Sequence, residues 1–421
     1  MRKSFRNMLA LLACAVVLSS CAAKADRRSE PLVKTGIEVL RDRGFDVLQG
    51  KRVGLVTNPS GVDRNLVSTV DILFEAPGVE LVALYGPEHG VRGDIHAGDK
   101  VEGNIDPKTG LIVHSLYGKT QKPSMEMLEG LDAIVYDIQD IGCRSFTFIS
   151  TMGKVMEAAA EKGIEVVVLD RPNPLGGNKV EGPLVQEGFY SFVSQFEIPY
   201  LYGLTCGELA LMLNQEGLLK DGVQCKLTVV PMEGWKREML YEDTRLPWVL
   251  PSPHIPQPAS SFYYPATGIA GEIGAYSIGV GYTLPFQMIA TEGVDADEMA
   301  EKLNAKELPG VLFRPLHVKP FYAVGAGKTL QGVQLYVTDP ENARITEIQF
   351  HVMEVIAELN PEMAAFKVAP ANRHRMFDIV TGSDYFRTTF AERHRFEDIQ
   401  ERWRADEEAF KTRSASYYLY Q

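Results

Sequence analysis

Along its first half the chain alternates short apolar runs with stretches of helical period. Residues 51–57 form a compact apolar run that breaks at Asn58-Pro59-Ser60-Gly61, the pattern of a buried strand followed by a turn. Further runs of strand character cover 79–85, 133–136, 164–169 and 225–230. Between them, apolar residues at helical spacing predict helices over 66–75, 148–162 and 205–216. The second of these stops at Gly163. The third opens with Thr205 and Glu208 in the spacing of a capping box and ends at Gly217. Strands that alternate with helices predict a mostly parallel sheet covered on both faces. After about Trp235 the texture changes. Residues 245–268 are rich in proline and read as a long ordered crossing with few helical signals, and Gly and Tyr dominate 268–282. Helices are expected again over 297–307 and 346–359, with strand-like runs at 311–318 and 332–338, so a smaller C-terminal α/β domain is predicted.

The N-terminus stands apart. Arg2, Lys3 and Arg6 precede an apolar run over 8–18 that is too short to span a bilayer. It ends in Leu18-Ser19-Ser20-Cys21, which resembles a bacterial lipobox with Cys21 as the lipidated residue. The expected organisation is a signal peptide over 1–20, a tether over 21–31, a catalytic domain over 32–265 and an auxiliary domain over 266–421. The protein would then be an exported lipoprotein of the cell envelope. Of the remaining cysteines, Cys143, Cys206 and Cys225 lack metal-ligand spacing and are expected to be buried small apolar residues.

Composition narrows the function classes. The 421 residues are 45% hydrophobic and 23% charged, which excludes a disordered chain and a multispanning membrane protein. The net charge of −12 becomes −15 once residues 1–20, with their three positive charges, are removed. Such acidity argues against a nucleic-acid partner.

In a parallel sheet, ligands bind outside the carboxyl ends of the strands. Four consecutive strand ends here carry polar residues on Gly/Pro-shaped loops: Asn58; Glu88, His89 and Arg92; Asp137, Asp140 and Arg144; Asp170, Arg171 and Asn173. Familiar motifs fail. Gly118-Lys119-Thr120 and Gly327-Lys328-Thr329 lack the upstream P-loop glycine, and no G-x-S-x-G or H-E-x-x-H is present. Glu88, His89, Asp94 and His96 are chemically able to ligate a metal, but the side chains of the adjacent Glu88 and His89 diverge, and no metal or cofactor is expected. Carboxylates without a nucleophile motif suit glycoside cleavage, which needs a protonated carboxyl for the leaving oxygen and a second group at the sugar centre. Glu88 is the natural acid, with Asp137, Asp140 or Asp170 as candidates for the second role.

Several motifs occur together and in order: 53–62 (VGLVTNPSGV), 85–93 (YGPEHGVRG), 115–120 (SLYGKT), 136–142 (YDIQDIG), 170–174 (DRPNP) and 230–235 (VPMEGW). This set resembles the exo-β-N-acetylmuramidase family called NamZ. The resemblance implies a Rossmann-like catalytic domain, a smaller C-terminal domain and a site in the cleft between them. It implies release of N-acetylmuramic acid from the non-reducing end of peptidoglycan fragments, with Glu88 as the catalytic glutamate. Asp137 and Asp140 are assigned beside it, and Asn58, His89, Arg92, Arg144, Asp170, Arg171, Asn173, His254 and Glu272 are assigned to the substrate. Members of the family typically carry SEGRGTTRPFE where this chain has 277–287 (SIGVGYTLPFQ), so Ile278, Val280, Leu284 and Gln287 stand where two glutamates and two arginines are usual. His254 replaces an Asn, and Leu201-Tyr202 an Arg-His pair. The recognition wall is thus more apolar, and a local positive patch from Arg92, Arg144 and Arg171 is expected if the substrate is anionic. The alternatives are a non-catalytic saccharide-binding lipoprotein on the same fold, or a different, metal-assisted hydrolase.

Overall fold

The computed structural model describes residues 32–88, 90–93 and 104–421. The proposed signal peptide, the tether, Cys21, His89, Asp94 and His96 lie outside the described residues.

Seven strands build the main sheet in the order β3-β4-β2-β1-β5-β6-β9. They are β1 (Arg52–Thr57), β2 (Glu80–Gly86), β3 (Asn104–Ile105), β4 (Ile112–Ser115), β5 (Ala133–Asp137), β6 (Glu165–Leu169) and β9 (Lys226–Val230). All pairings are parallel except β3 with β4. The central strands β1, β5 and β6 are apolar on both faces because helices cover both sides. Val56, Ile134, Val166 and Val168 pack into one core, and Val53, Leu55, Val135 and Val167 into the other.

The helices are α1 (Gly36–Asp42), α2 (Thr69–Phe74), α3 (Phe148–Lys162) and α4 (Cys206–Gln215) beside this sheet. The capping box at Thr205 and Glu208 forms as its sequence predicts: Thr205 Oγ1 accepts from the Glu208 amide at 3.2 Å and Glu208 accepts from the Thr205 amide at 3.1 Å. A short β7–β8 hairpin (Val180–Glu181, Leu201–Tyr202) lies beside the sheet. Cys143, Cys206 and Cys225 are all buried and unpaired.

The stretch 245–268 is not a helix-free crossing. It contains the start of α5 (Ser260–Glu272), with Pro265 inside the helix. Proline removes one interior amide donor, and burial of Phe262, Ala266, Ile269 and Ala270 outweighs that loss. A three-stranded antiparallel sheet follows in the order β10-β12-β11, from β10 (Met288–Thr291), β11 (Val311–Val318) and β12 (Leu330–Val337). Around it run α6 (Ala296–Asn304), α7 (Ile348–Leu359), α8 (Ala365–Val368), α9 (Ala371–Thr381), α10 (Tyr385–Arg393) and α11 (Glu397–Ser414). Phe350, Phe386 and Phe396 surround the fully buried Trp403 of α11. The chain end then returns to the main sheet, where Tyr420 donates to Asp170 at 2.5 Å. Among the described residues no helix is long and apolar enough to cross a membrane.

Candidate functional site

The loop after β2 carries Glu88 on a tight turn. The Gly90 amide bonds the Pro87 carbonyl at 3.0 Å, and Gly90 has φ +74°, a conformation that favours glycine. Glu88 is half-buried and faces a cavity of about 250 Å³. Ser145, Phe146 and Thr147 come to it from the loop after β5, and Phe148 from the first position of α3. Ser252, His254 and Ile255 come from the segment before α5, Tyr264 and Glu272 from α5, and Phe286 from the segment before β10. The cavity therefore lies where the main sheet meets the C-terminal elements.

Its polar groups are ordered from below. Ser145 Oγ hydrogen-bonds Tyr200 Oη at 2.9 Å and Tyr264 Oη at 3.3 Å. Burial pushes the Tyr264 phenol well above its ordinary range, and the nearby Cys143, Glu272 and Glu88 add to that, so the hydroxyl stays neutral. Glu272 ends α5 and keeps 35% of its side chain exposed. Burial still raises its carboxyl above the usual range, opposed by Arg373, whose Nη2 lies 3.2 Å from Oε2. Phe146, Phe148 and Phe286 give the walls their apolar faces. Asn58 contributes from outside: its Nδ2 donates to the Pro251 carbonyl at 3.0 Å, which ties the segment bearing Ser252 and His254 to the end of β1.

Of the residues singled out from sequence, Glu88, His254 and Glu272 come together in this cavity. The others point elsewhere for definite reasons. Asp137 is fully buried and accepts from Arg171 Nε at 2.5 Å and Nη2 at 2.9 Å, and also from Thr69 Oγ1. Arg171 is thereby paired with Asp137 and not with its neighbour Asp170. Asp170 instead accepts from Thr205 Oγ1 at 2.7 Å, the Gly207 amide at 2.8 Å and Tyr420, and so holds the start of α4 and the chain end. Asp140 accepts from the Gly142 amide at 2.6 Å and from Tyr202 Oη. Burial raises both Asp140 and Asp170 to about 6. Asn173 donates to the Leu204 carbonyl at 3.0 Å.

The expected arginine patch is absent from the lining. Arg92 pairs with Asp106 at 2.9 and 3.0 Å. Arg144, also fully buried, donates to the Pro183 carbonyl at 2.8 Å, the Ile198 carbonyl and the Val380 carbonyl at 2.7 Å, and so joins the main sheet to α9. Arg92 is engaged by a buried carboxylate, and the terminal nitrogens of Arg144 by buried carbonyls, so neither group is offered to the cavity. Sequence reasoning overlooked Ser145, Tyr264 and the three phenylalanines. Ser145 and Phe146 directly follow the loop already singled out, but nothing local marks Tyr264 or Phe286, because only the packing of α5 brings them to Glu88. Among the described residues no group of His, Cys, Asp or Glu is arranged to hold a metal ion.

The family description "Exo-beta-N-acetylmuramidase NamZ, N-terminal" matches residues 53–259, and its C-terminal counterpart matches 262–420. The chain belongs to the NamZ family. A relative from Bacillus subtilis (strain 168), the peptidoglycan beta-N-acetylmuramidase NamZ, is 42% identical over 424 residues, 100% of each chain. Two crystal structures of DUF1343 family proteins from Bacteroides fragilis NCTC 9343 are also similar. One is 58% identical with a TM-score of 0.90, covering 93% of this chain and 100% of that one. The other is 29% identical with a TM-score of 0.75, covering 92% and 99%. Membership in NamZ makes this chain a glycoside hydrolase on an α/β fold with a further C-terminal domain. The apolar residues at the family's charged positions have structural counterparts: Ile278 and Val280 pack on the main core, and Leu284 on a small cluster with Met288 and Leu316.

Proposed function

We propose that the chain is an exo-acting β-N-acetylmuramidase that removes the terminal N-acetylmuramic acid of peptidoglycan fragments, with Glu88 as the catalytic acid/base. The observation that carries this reading is the meeting of Glu88, from the main sheet, with Glu272, from α5, in one cavity with aromatic walls and hydroxyl donors. Glycoside cleavage needs two groups across the sugar. Glu88 gives its proton to the leaving oxygen as the glycosidic bond breaks, and the carboxylate so formed takes a proton from the water whose oxygen bonds to the anomeric carbon. Glu272 is the second carboxyl at the site, in place of Asp137 or Asp140. Burial raises its carboxyl above the usual range while the Arg373 guanidinium opposes that, and it lines the same cavity as Glu88. The Ser145 and Tyr264 hydroxyls supply neutral donors in a cavity that no described arginine lines. A hydrogen bond from a neutral donor to a charged group contributes about 1.5–3 kcal/mol, so an anionic sugar can be held without a cationic wall.

The test is release of sugar from a chromogenic β-N-acetylmuramide by wild type and Glu88→Gln. Loss of general acid catalysis lowers turnover by about 10²- to 10⁴-fold. Equal rates would remove Glu88 from the mechanism, and tight binding of fragments with no release by wild type would make the protein a saccharide-binding module.

Export as a lipoprotein belongs to the same reading and is supported by the charged start, the apolar run and Cys21. Incorporation of labelled fatty acid into wild type, and its absence in Cys21→Ala, is the expected result. Equal labelling of the two would place the anchor elsewhere.

A further inference from the structure

Beside the mouth of the cavity stands a group of aromatic rings that the catalytic reading does not use. Phe321 and Tyr322 lie in the loop between β11 and β12 and are 73% and 53% exposed. Large aromatic rings contribute most when covered, and these two are open to solvent. The ring of Phe321 stacks on Tyr282 at 5.7 Å between centroids and 25° between planes. Tyr282 itself packs against the small apolar cluster of Met288, Leu316 and Leu330, so the stack rests on a firm base.

The loop is fixed in place. The Phe321 amide donates to the Gly281 carbonyl at 2.8 Å. Gly281 has φ +92°, and a Cβ there would meet the Tyr322 carbonyl oxygen at 2.0 Å, so only glycine permits this approach. The loop is also joined to the catalytic cavity, since Tyr322 Oη lies 2.8 Å from His254 Nε2 and His254 lines the cavity beside Glu88.

We propose that Tyr282, Phe321 and Tyr322 form a stacking platform for the saccharide on the leaving-group side of the scissile bond. This rests on the reading of the cavity as an exo-glycosidase site. A cavity of about 250 Å³ has room for one amino sugar, so the rest of the fragment lies outside it. The first sugar outside must lie next to the cavity mouth, where His254 hands over to Tyr322. One face of a pyranose presents C–H groups, and these pack against the negative face of an aromatic ring. The Tyr322 hydroxyl adds a polar contact at the inner edge. A neutral platform also suits an acidic protein, because it draws the fragment in without a cationic surface.

The test compares two substrates in wild type and Phe321→Ala: a disaccharide fragment, N-acetylmuramic acid linked to N-acetylglucosamine, and methyl β-N-acetylmuramide, whose leaving group reaches no platform. Phe321 is exposed, so its truncation leaves the core intact. For the disaccharide, kcat/KM falls about three- to tenfold, the worth of one ring contact. For the methyl glycoside it stays within about twofold. Equal effects on both substrates, or none on either, overturn the proposal. If wild type releases no sugar from either substrate, the catalytic reading fails. Calorimetry with the disaccharide then decides the platform separately: weaker binding by Phe321→Ala upholds it, and unchanged binding overturns it.

Discussion

The ion pair between Asp137 and Arg171 allows a test in which two accounts of one residue diverge. If Asp137 acts on substrate, its replacement strikes turnover. If it holds Arg171, replacement strikes stability. The side chains are 1% and 5% exposed, and Arg171 makes two of its hydrogen bonds to Asp137 and a third to the Val62 carbonyl at 2.8 Å. Asp137→Ala leaves the guanidinium buried with that one carbonyl, and breaking a buried pair from one side costs about 3–5 kcal/mol. Arg171→Met strands the carboxylate and costs a similar amount. Replacing both, as Asp137→Leu with Arg171→Met, removes both desolvated charges and costs less than the two single changes together. The measurement is a double-mutant cycle from denaturant midpoints, with an expected coupling of about 2 kcal/mol or more. Turnover per folded molecule in Asp137→Asn should stay near that of wild type. The account fails if Asp137→Asn keeps wild-type stability and loses turnover by orders of magnitude, or if the single costs simply add.

Asp140 and Asp170 make a prediction about pH. Both are raised to about 6 by burial, above the ordinary 3.8. Between these values the unfolded chain has released a proton that the folded one keeps, so stability falls as pH rises from about 4 to about 6. Two pH units correspond to roughly 3 kcal/mol per group. Asp140→Asn should flatten that part of the stability curve relative to wild type, and an unchanged slope in chemical denaturation across this window would refute the burial argument. Arg144→Met leaves the carbonyls of Pro183, Ile198 and Val380 without their donor, so a loss of about 3 kcal/mol or more is expected in thermal or denaturant unfolding; wild-type stability would show that other donors replace it. Glu272→Gln keeps the hydrogen-bonding shape of the cavity and removes the ionisable group. If Glu272 is the second group at the sugar, this variant loses turnover by about 10²-fold or more while calorimetry still detects fragment binding, and wild-type turnover would remove Glu272 from the mechanism.

Much of the main sheet was legible because its determinants are local. Continuous apolar runs mark β1, β2, β5, β6 and β9, and Gly163, Thr205 and Glu208 mark helix ends with their own backbone chemistry. Helix α5 was not legible, because proline-rich sequence around Pro265 argues against a helix and only burial of its apolar face reverses that. The strand ends were correctly singled out as the polar edge of the sheet, yet polarity at an edge does not say which way a side chain turns. Asp137, Asp140, Asp170, Arg144 and Arg171 bond to one another, to neighbouring hydroxyls, to the backbone and to the chain end, with Asp140 Oδ1 and Arg144 Nε left unpartnered, and that bonding engages the groups that looked free in one dimension.

By itself, then, the sequence determined the alternation of strands and helices, the loop that carries Glu88, the acidic balance of charge and the family to which the chain belongs. These depend on residue type, spacing and order, which are properties of the chain itself. Only the tertiary structure decided which carboxyl shares a cavity with Glu88. Glu272 reaches the cavity because α5 is held there by its packing on α7 and α9, while Asp137, at a main-sheet strand end, is drawn inward by Arg171. A buried charge must find its partner before it can serve a ligand, and that competition is settled by three-dimensional packing and not by position along the chain.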